Sequence, residues 1–167
     1  MYRRIDDFVR DWEHDSDGTS KIFAALTQES LTQQVCPGFR DLGRLAWHIT
    51  QTIPEMMNQT GLSVTGADPH GPVPKTLSEI QKAYRDAAKS LMAEVQAKWK
   101  DETLELEDNM YGSNWKRGLT LSALIVHQAH HRGQMTVLMR QAGLRVPGVF
   151  GPAKEDWAAY GQPPPAV

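Results

Sequence analysis

Three of the six histidines of this chain fall within five positions, at His127, His130 and His131. An α-helix turns about 100° per residue, so His127 and His131 would lie on one helical face, one turn and roughly 6 Å apart. Two imidazoles at this spacing can share one metal ion. The alternative is that they are polar core or interface histidines held by hydrogen bonds alone.

The two histidines fall on the predicted buried face of their segment. Leu124, His127, His131, Gln134 and Leu138 follow one another in steps of three and four residues, which is the period of a buried helical stripe. Burying polar groups without partners costs roughly 1–3 kcal/mol for each group. We therefore expect either a metal ion or a set of hydrogen bonds to satisfy these imidazoles.

Composition describes an ordinary soluble globule. The chain has 167 residues, of which 40% are hydrophobic and 23% are charged, and this predicts a single domain over residues 1–167. The formal net charge of −2 shows no basic excess, so we expect no nucleic-acid partner. The single Cys36 excludes an internal disulfide framework and fits a reducing compartment. Residues 1–20 lack an apolar run of signal-peptide length and no run of 18 apolar residues occurs, so we expect a cytoplasmic protein with no membrane partner.

Hydrophobic periodicity predicts four helices. The first covers residues 2–27 with a weak point at Asp17-Gly18, and the second covers Phe39–Gln59, with Phe39 on its buried face and Pro54 expected to kink it or to start a new helix. A capping box at Thr76 opens the third, which runs to about Trp99. Thr120 is predicted to cap the fourth, which ends near Gly143.

The remaining segments are predicted to connect or extend these helices. Residues 60–75 form a long loop with an exposed His70, and residues 101–108 form a solvated surface segment, with a short extended pair as an option around residues 112–114. Residues 144–167 form a C-terminal extension whose short helix at residues 154–160 packs Trp157 and Tyr160 onto the bundle. Glu13, His14 and Asp15 are interpreted as a solvated turn.

Four helices with one long cross-connection describe an all-α four-helix bundle, in which metal sites form between facing helices. Three segments, LGRLAWHI, VHQAHHRGQ and GLRVPGVFGP, resemble the DinB-like (DinB/YfiT-like) family of small metal-binding four-helix bundles. The resemblance covers nearly the whole chain, and HHRGQ is its most specific part. It implies one metal site between helices 2 and 4, with His48, His127 and His131 as ligands. Val126 stands where family members often have Asn.

Three imidazole ligands leave a metal ion with open positions, which is the layout of a catalytic site. The resemblance implies a divalent-metal-dependent enzyme, either a hydrolase or a transferase that uses a low-molecular-weight thiol, acting on a small-molecule substrate. The alternative is a non-catalytic metal- or ligand-binding stress-response protein. Imidazole ligands favour zinc or nickel. Family relatives commonly form homodimers, and five tryptophans exceed the needs of one bundle core, so we expect a homodimer.

Residues around the histidine pair receive weaker interpretations. His130 is displaced by about 60° from His127 and about 100° from His131, so it is expected to support the site or to pack rather than to bind the ion. Arg132 is predicted to form a structural ion pair, and Gly133 to permit close helix packing. Gln134 lies one helical turn beyond His131 and could hydrogen-bond within the site, and we assign it no role from the sequence.

No catalytic residue can be assigned from the sequence. No Asp or Glu occurs between Asn109 and Lys154, so a carboxylate base would have to come from another segment, such as Glu13 or Glu55. Cations that could bind substrate carboxylates lie around the last helix, although most are expected to be solvated: Lys116, Arg117, Arg132, Arg140 and Arg145. This distribution slightly favours thiol binding over hydrolysis.

Overall fold

The computed structural model describes residues 1–166 and confirms the four-helix bundle. Its four α-helices are α1 (Ile5–Ala24), α2 (Leu42–Asn58), α3 (Leu77–Lys98) and α4 (Arg117–Gln141). Between α3 and α4 lies a two-stranded antiparallel hairpin of β1 (Glu107–Met110) and β2 (Ser113–Lys116). Short 3-10 turns occupy Glu29–Thr32, Asp101–Glu105 and Lys154–Tyr160.

The four helices pack in a ring. Helices α1 and α2 each contact both α3 and α4. Although α1 and α2 follow one another in sequence, they therefore lie at diagonally opposite corners of the bundle. One continuous hydrophobic core fills the centre, and it includes Phe8, Trp12, Leu42, Ile53 and Leu91. None of the helices in residues 1–166 is long and apolar enough to cross a membrane.

Helix α1 runs without interruption through Asp17-Gly18. Gly18 is buried because the C-terminal extension crosses α1 there, and a Cβ at this position would collide with the side chain of Val149. The predicted solvated turn is wrong for Asp15, which is almost completely buried. The helix continues because each turn of this segment buries residues against the rest of the bundle, which outweighs the local preference of Asp-Gly for a turn.

Helix α2 begins later than predicted. The Asp41 side chain caps it by accepting a hydrogen bond from the backbone N–H of Arg44 at 2.7 Å. Phe39 therefore precedes the helix, in a loop that turns through Gly38 at φ +87°, and its side chain is 64% exposed rather than buried. The helix is continuous across Pro54, so the predicted new start is wrong.

The predicted capping box of α3 is confirmed. The Thr76 hydroxyl accepts a hydrogen bond from the Glu79 backbone N–H, and the Glu79 carboxylate accepts one from the Thr76 N–H at 3.1 Å. The connection that precedes α3 is the predicted long loop. Asn58, the last residue of α2, holds this loop with two side-chain hydrogen bonds to Val64. Its side-chain oxygen accepts from the Val64 backbone N–H at 2.7 Å, and its amide nitrogen donates to the Val64 carbonyl at 3.1 Å.

The acidic segment before α4 is more structured than predicted. The Asp101 carboxylate, in the 3-10 turn of this segment, accepts a hydrogen bond from the backbone N–H of Ile5 at 2.8 Å. Asp108 forms an ion pair with Arg117 at 2.9 Å. The extended pair is confirmed, and Tyr111-Gly112 makes its turn. Because β2 leads directly into α4, the helix begins at Arg117, and Thr120 is a buried helical residue rather than the predicted cap.

Helix α4 ends as predicted, with Gly143 at φ +72° just beyond it. The N–H of Leu144 bonds to the carbonyl of Met139 at 2.9 Å, and this pattern is the usual glycine-terminated helix end. The extension that follows is attached by ion pairs of Arg140 with Glu155 and Arg145 with Asp156. Trp157 is half-buried, but Tyr160 is 68% exposed, so the predicted packing of Tyr160 is wrong.

Candidate metal centre

Helices α2 and α4 bring His48, His127 and His131 together. A buried hydrogen bond beside the site sets the register of the two helices: the Gln128 amide donates to the backbone carbonyl of Ile49 at 2.9 Å. Gln128 follows His127 and Ile49 follows His48, so this one bond fixes the height of one histidine against the other. Because the Gln128 side chain is fully buried, sliding the helices would leave its amide unsatisfied.

The three imidazoles converge on one point. Their ring centroids are 4.5 to 5.0 Å apart, and one nitrogen from each ring lies within 4.8 Å of the others. The Nε2 atoms of His127 and His131 are 3.2 Å apart. Two nitrogens bound to one tetrahedral zinc at 2.0–2.1 Å would be separated by about 3.3 Å. The donor set therefore fits a single divalent metal ion.

Burial lowers the pKa of all three imidazoles and so favours the neutral form, which is the form that binds metal. Desolvation, together with Arg40 and the neighbouring histidines, lowers the pKa of His48 to about 3. Desolvation and the adjacent His131 lower the pKa of His127 to about 4. The pKa of His131 is also lowered by desolvation, which a hydrogen bond to Gln134 partly opposes.

Gln134 fixes the tautomer of His131. Its side-chain oxygen lies 2.7 Å from Nδ1 of His131, and an amide oxygen can only accept, so Nδ1 carries the proton and Nε2 keeps its lone pair. This is the usual arrangement behind a metal-binding histidine. The Gln134 amide nitrogen lies 3.3 Å from Nε2 of His130. The exposed His130 therefore contacts Gln134 and lies outside the cluster.

His127 lacks a comparable support. Its Nδ1 is buried and meets no hydrogen-bond partner among residues 1–166. Val126 does not change this, because its side chain points away from the bundle and is 66% exposed. The three ligands therefore differ in how firmly the protein orients them.

Two pockets open beside the histidine cluster. An apolar pocket of about 480 Å³ borders His131 and Gln134 and is lined by Val35, Phe39, Leu45, Val137 and Leu138. A polar pocket of about 530 Å³ borders His48 and His127, and its other lining residues include Arg44, Gln51, Glu55, His70, Tyr111 and Trp115. Arg40 stands between them and borders both.

The structure separates the other candidate residues clearly. Glu55 borders the polar pocket, whereas Glu13 lies in a different surface depression beside Arg85 and Lys89. The five predicted cations around α4 are all held in ion pairs: Lys116 with Glu105, Arg117 with Asp108, Arg132 with Asp15, Arg140 with Glu155 and Arg145 with Asp156. The ion pair predicted for Arg132 is thus confirmed.

Sequence reasoning missed the cations that do border the site, Arg40 and Arg44. The signal for Arg44 was present, because Arg44, His48, Gln51 and Glu55 recur at steps of four, three and four residues on one face of α2. Gly133 was also misread: a Cβ there would meet nothing within 4 Å, so this glycine permits no close helix packing.

These features define a class: a four-helix bundle in which histidines from two facing helices form a cluster that can hold one divalent metal ion. The chain belongs to the DinB family, whose sequence model matches residues 1–165. It is 41% identical to the uncharacterized protein YrdA of Bacillus subtilis (strain 168) over the full length of both chains. It also resembles the crystal structure of a DinB-like protein from Bacillus cereus ATCC 10987, with 42% sequence identity and a TM-score of 0.86, over 90% of this chain and 100% of that one.

Proposed function

We propose that this protein is a divalent-metal-dependent enzyme that binds a low-molecular-weight thiol at its histidine cluster and joins the whole thiol to an electrophile. The thiol loses its proton, its sulfur forms a bond to the electrophilic carbon, and the leaving group departs from that carbon with its bonding electrons. The ion would be zinc or nickel, the metals that a set of imidazoles favours, held by His48, His127 and His131. At its open positions a bound ion supplies Lewis acidity, which lowers the pKa of a coordinated thiol or water.

The observation that favours a thiol over water as the reacting group is the positive charge around the histidine cluster. Arg40 and Arg44 border the site and form no ion pair within residues 1–166. Their positive charges favour an anion near the histidines, such as a thiolate or a substrate carboxylate. The apolar pocket on the His131 side supplies a place for the carbon skeleton of the electrophile.

Hydrolysis has weaker support in the arrangement of carboxylates. The metal-binding group contains three histidines and no Asp or Glu among the residues described. The carboxylate that borders the polar pocket, Glu55, is seven residues beyond His48 on α2, about 10 Å along the helix axis. A general base must lie within hydrogen-bond reach of the proton it takes, directly or through one water, and Glu55 is poorly placed for that role at the metal.

Titration of the cobalt-substituted protein with small thiols tests the proposal. We expect a saturable thiolate-to-cobalt absorption band that is lost in His127→Ala. If no thiol perturbs the cobalt spectrum and metal-dependent ester or amide hydrolysis is found instead, the protein is a hydrolase. If neither response is seen, the non-catalytic metal- or ligand-binding alternative takes precedence. Both results would overturn the transferase proposal.

A further inference from the structure

The polar pocket has opposite charges at its two ends. Arg44, His48, Gln51 and Glu55 lie along one face of α2, and all four border this pocket. The order along the helix is a cation, a candidate metal ligand, an amide and a carboxylate. Arg44 and Glu55 are eleven residues apart, which corresponds to about 16 Å along the helix axis.

The cationic end is held in place but keeps free donors. The Arg44 guanidinium gives one hydrogen bond to the Gln51 side-chain oxygen at 2.9 Å. Gln51 is buried, and its amide nitrogen is anchored to the carbonyls of Asp68 and Gly71 at 2.6 and 3.1 Å. An arginine has five N–H donors, so Arg44 retains donors for an anionic group, and the exposed Arg40 adds a second positive charge.

The anionic end is built by contacts between α2 and the hairpin. The Tyr111 hydroxyl lies 2.9 and 3.0 Å from the two carboxylate oxygens of Glu55. Tyr111 has φ +53°, and it is the one non-glycine residue with positive φ in residues 1–166. Asparagine or glycine is the ordinary choice at such a turn position. A strained tyrosine that reaches a pocket carboxylate indicates that the protein positions Glu55.

The Glu55 carboxylate borders the pocket without a cationic partner among the residues described. Its hydrogen-bond partners are the neutral groups of Tyr111 and Gln59, and no cation of residues 1–166 forms an ion pair with it. It is half-buried, so a cationic partner would interact with it more strongly than at an open surface. An ammonium group from a ligand would supply that partner.

We infer that the polar pocket binds an elongated, dipolar thiol, with its anionic group at Arg40 and Arg44, its sulfur at the histidines and its ammonium group at Glu55. This inference rests on the proposed thiol binding and adds the class of thiol. An extended chain covers about 3.3–3.6 Å per residue, so a compound of tripeptide length, about 10 Å, spans the two ends once the reach of the Arg and Glu side chains is included.

Three versions of one tripeptide, Gly-Cys-Gly, test the inference on the cobalt-substituted protein: free ends, acetylated N-terminus and amidated C-terminus. We expect the wild-type protein to bind the free peptide at least about tenfold more tightly than either blocked form, measured by the thiolate-to-cobalt band. Glu55→Gln should abolish the penalty for acetylation and keep the penalty for amidation. Arg40→Gln/Arg44→Gln should do the reverse.

Matched variants and a simple thiol separate the outcomes. Glu102→Gln and Arg85→Gln, exposed residues outside the polar pocket, should keep both penalties, and cobalt content with circular dichroism establishes that each variant is folded and loaded. Equal binding of all three peptides, with 2-mercaptoethanol also binding, would overturn the dipolar pocket and leave the proposed thiol chemistry intact. Failure of every thiol, including 2-mercaptoethanol, would overturn both.

Discussion

The 2.7 Å contact between Nδ1 of His131 and the Gln134 side-chain oxygen decides which nitrogen of that imidazole can bind a metal. The bond holds the ring orientation as well as its tautomer. His127 has no such partner on its Nδ1 within the described chain. A glutamine three positions further along α4 therefore sets the orientation of one of the three candidate ligands.

Replacing Gln134 by Ala is expected to weaken metal binding by about 10–100-fold, the usual cost of removing a group that orients a metal ligand. Gln134→Glu should retain most of the affinity, because a carboxylate oxygen accepts the same hydrogen bond. Competition with a calibrated chelator measures both constants. Equal affinities in the wild-type protein and Gln134→Ala would show that His131 needs no such support.

The lowered histidine pKa values predict an acid-sensitive apoprotein. In the unfolded chain these imidazoles take up protons below pH 6.5, whereas in the folded protein His48 and His127 do so only near pH 3 and 4. The unfolded state thus binds more protons in this interval, and the free energy of unfolding should fall as the pH is lowered from about 6.5 to about 4. Denaturant titrations of the metal-free protein measure the slope, which should be smaller in His48→Asn/His127→Asn.

Acid should also remove the stabilisation that comes from a bound metal, since ligand imidazoles must be neutral. The difference in melting temperature between metal-loaded and metal-free protein should shrink as the pH falls below about 6. A difference that stays constant down to pH 4 would contradict histidine ligation.

At the scale of elements, a buried ion pair joins α1 to α4. The Arg132 guanidinium donates to the carboxylate and to the backbone carbonyl of Asp15 at 2.6 and 3.1 Å, and to the Thr19 hydroxyl at 2.7 Å. The ring of Phe150, from the C-terminal extension, covers Arg132 at 5.3 Å. Arg132 follows the ligand His131 directly, so this pair connects the position of α4 at the metal centre to α1.

Arg132→Leu is expected to destabilise the fold by about 3–5 kcal/mol, because it leaves the buried Asp15 without its counter-charge. The double variant Asp15→Leu/Arg132→Leu should cost much less, since it removes both buried charges. Denaturant unfolding of the wild-type protein and both variants gives the comparison. A single variant that is no less stable than the double variant would contradict this role.

The sequence predicted the helices well where local signals were strong. The capping box at Thr76 and the glycine stop at Gly143 lie where expected, because both depend on neighbouring residues. The failures involve tertiary contacts. Asp15 was interpreted as solvated because its ion-pair partner, Arg132, lies 117 positions away in the sequence. Thr120 was interpreted as a helix cap because the hairpin that leads directly into α4 was predicted only as an alternative.

The candidate site was predicted less completely than the helices. The spacing of His127 and His131 was readable, but the choice of His48 came from the family resemblance, because nothing local distinguishes it from a core histidine. Gln128 and Tyr111 could not be assigned from sequence, since each acts on a residue of α2 that only the fold brings near. Arg40 and Arg44 were passed over in favour of cations that are paired elsewhere.

At the scale of the whole molecule, we propose that the protein is a homodimer. Three of the five tryptophans, Trp12, Trp47 and Trp99, are buried within the chain, so the tryptophan count gives this proposal little support. Exposed apolar side chains on α4, including Val126 and Val137, offer a surface for a second copy. Light scattering at micromolar concentration should give about twice the chain mass of 18.7 kDa, and a mass near that of one chain would contradict the dimer.

Elemental analysis of the purified protein decides whether His48, His127 and His131 together hold one divalent metal ion. The wild-type protein should contain about one ion per chain. His48→Ala, His127→Ala and His131→Ala should each lose it, whereas His130→Ala and His70→Ala, whose side chains are exposed and outside the cluster, should retain most of it. Full metal occupancy in His131→Ala would show that this histidine is not a metal ligand.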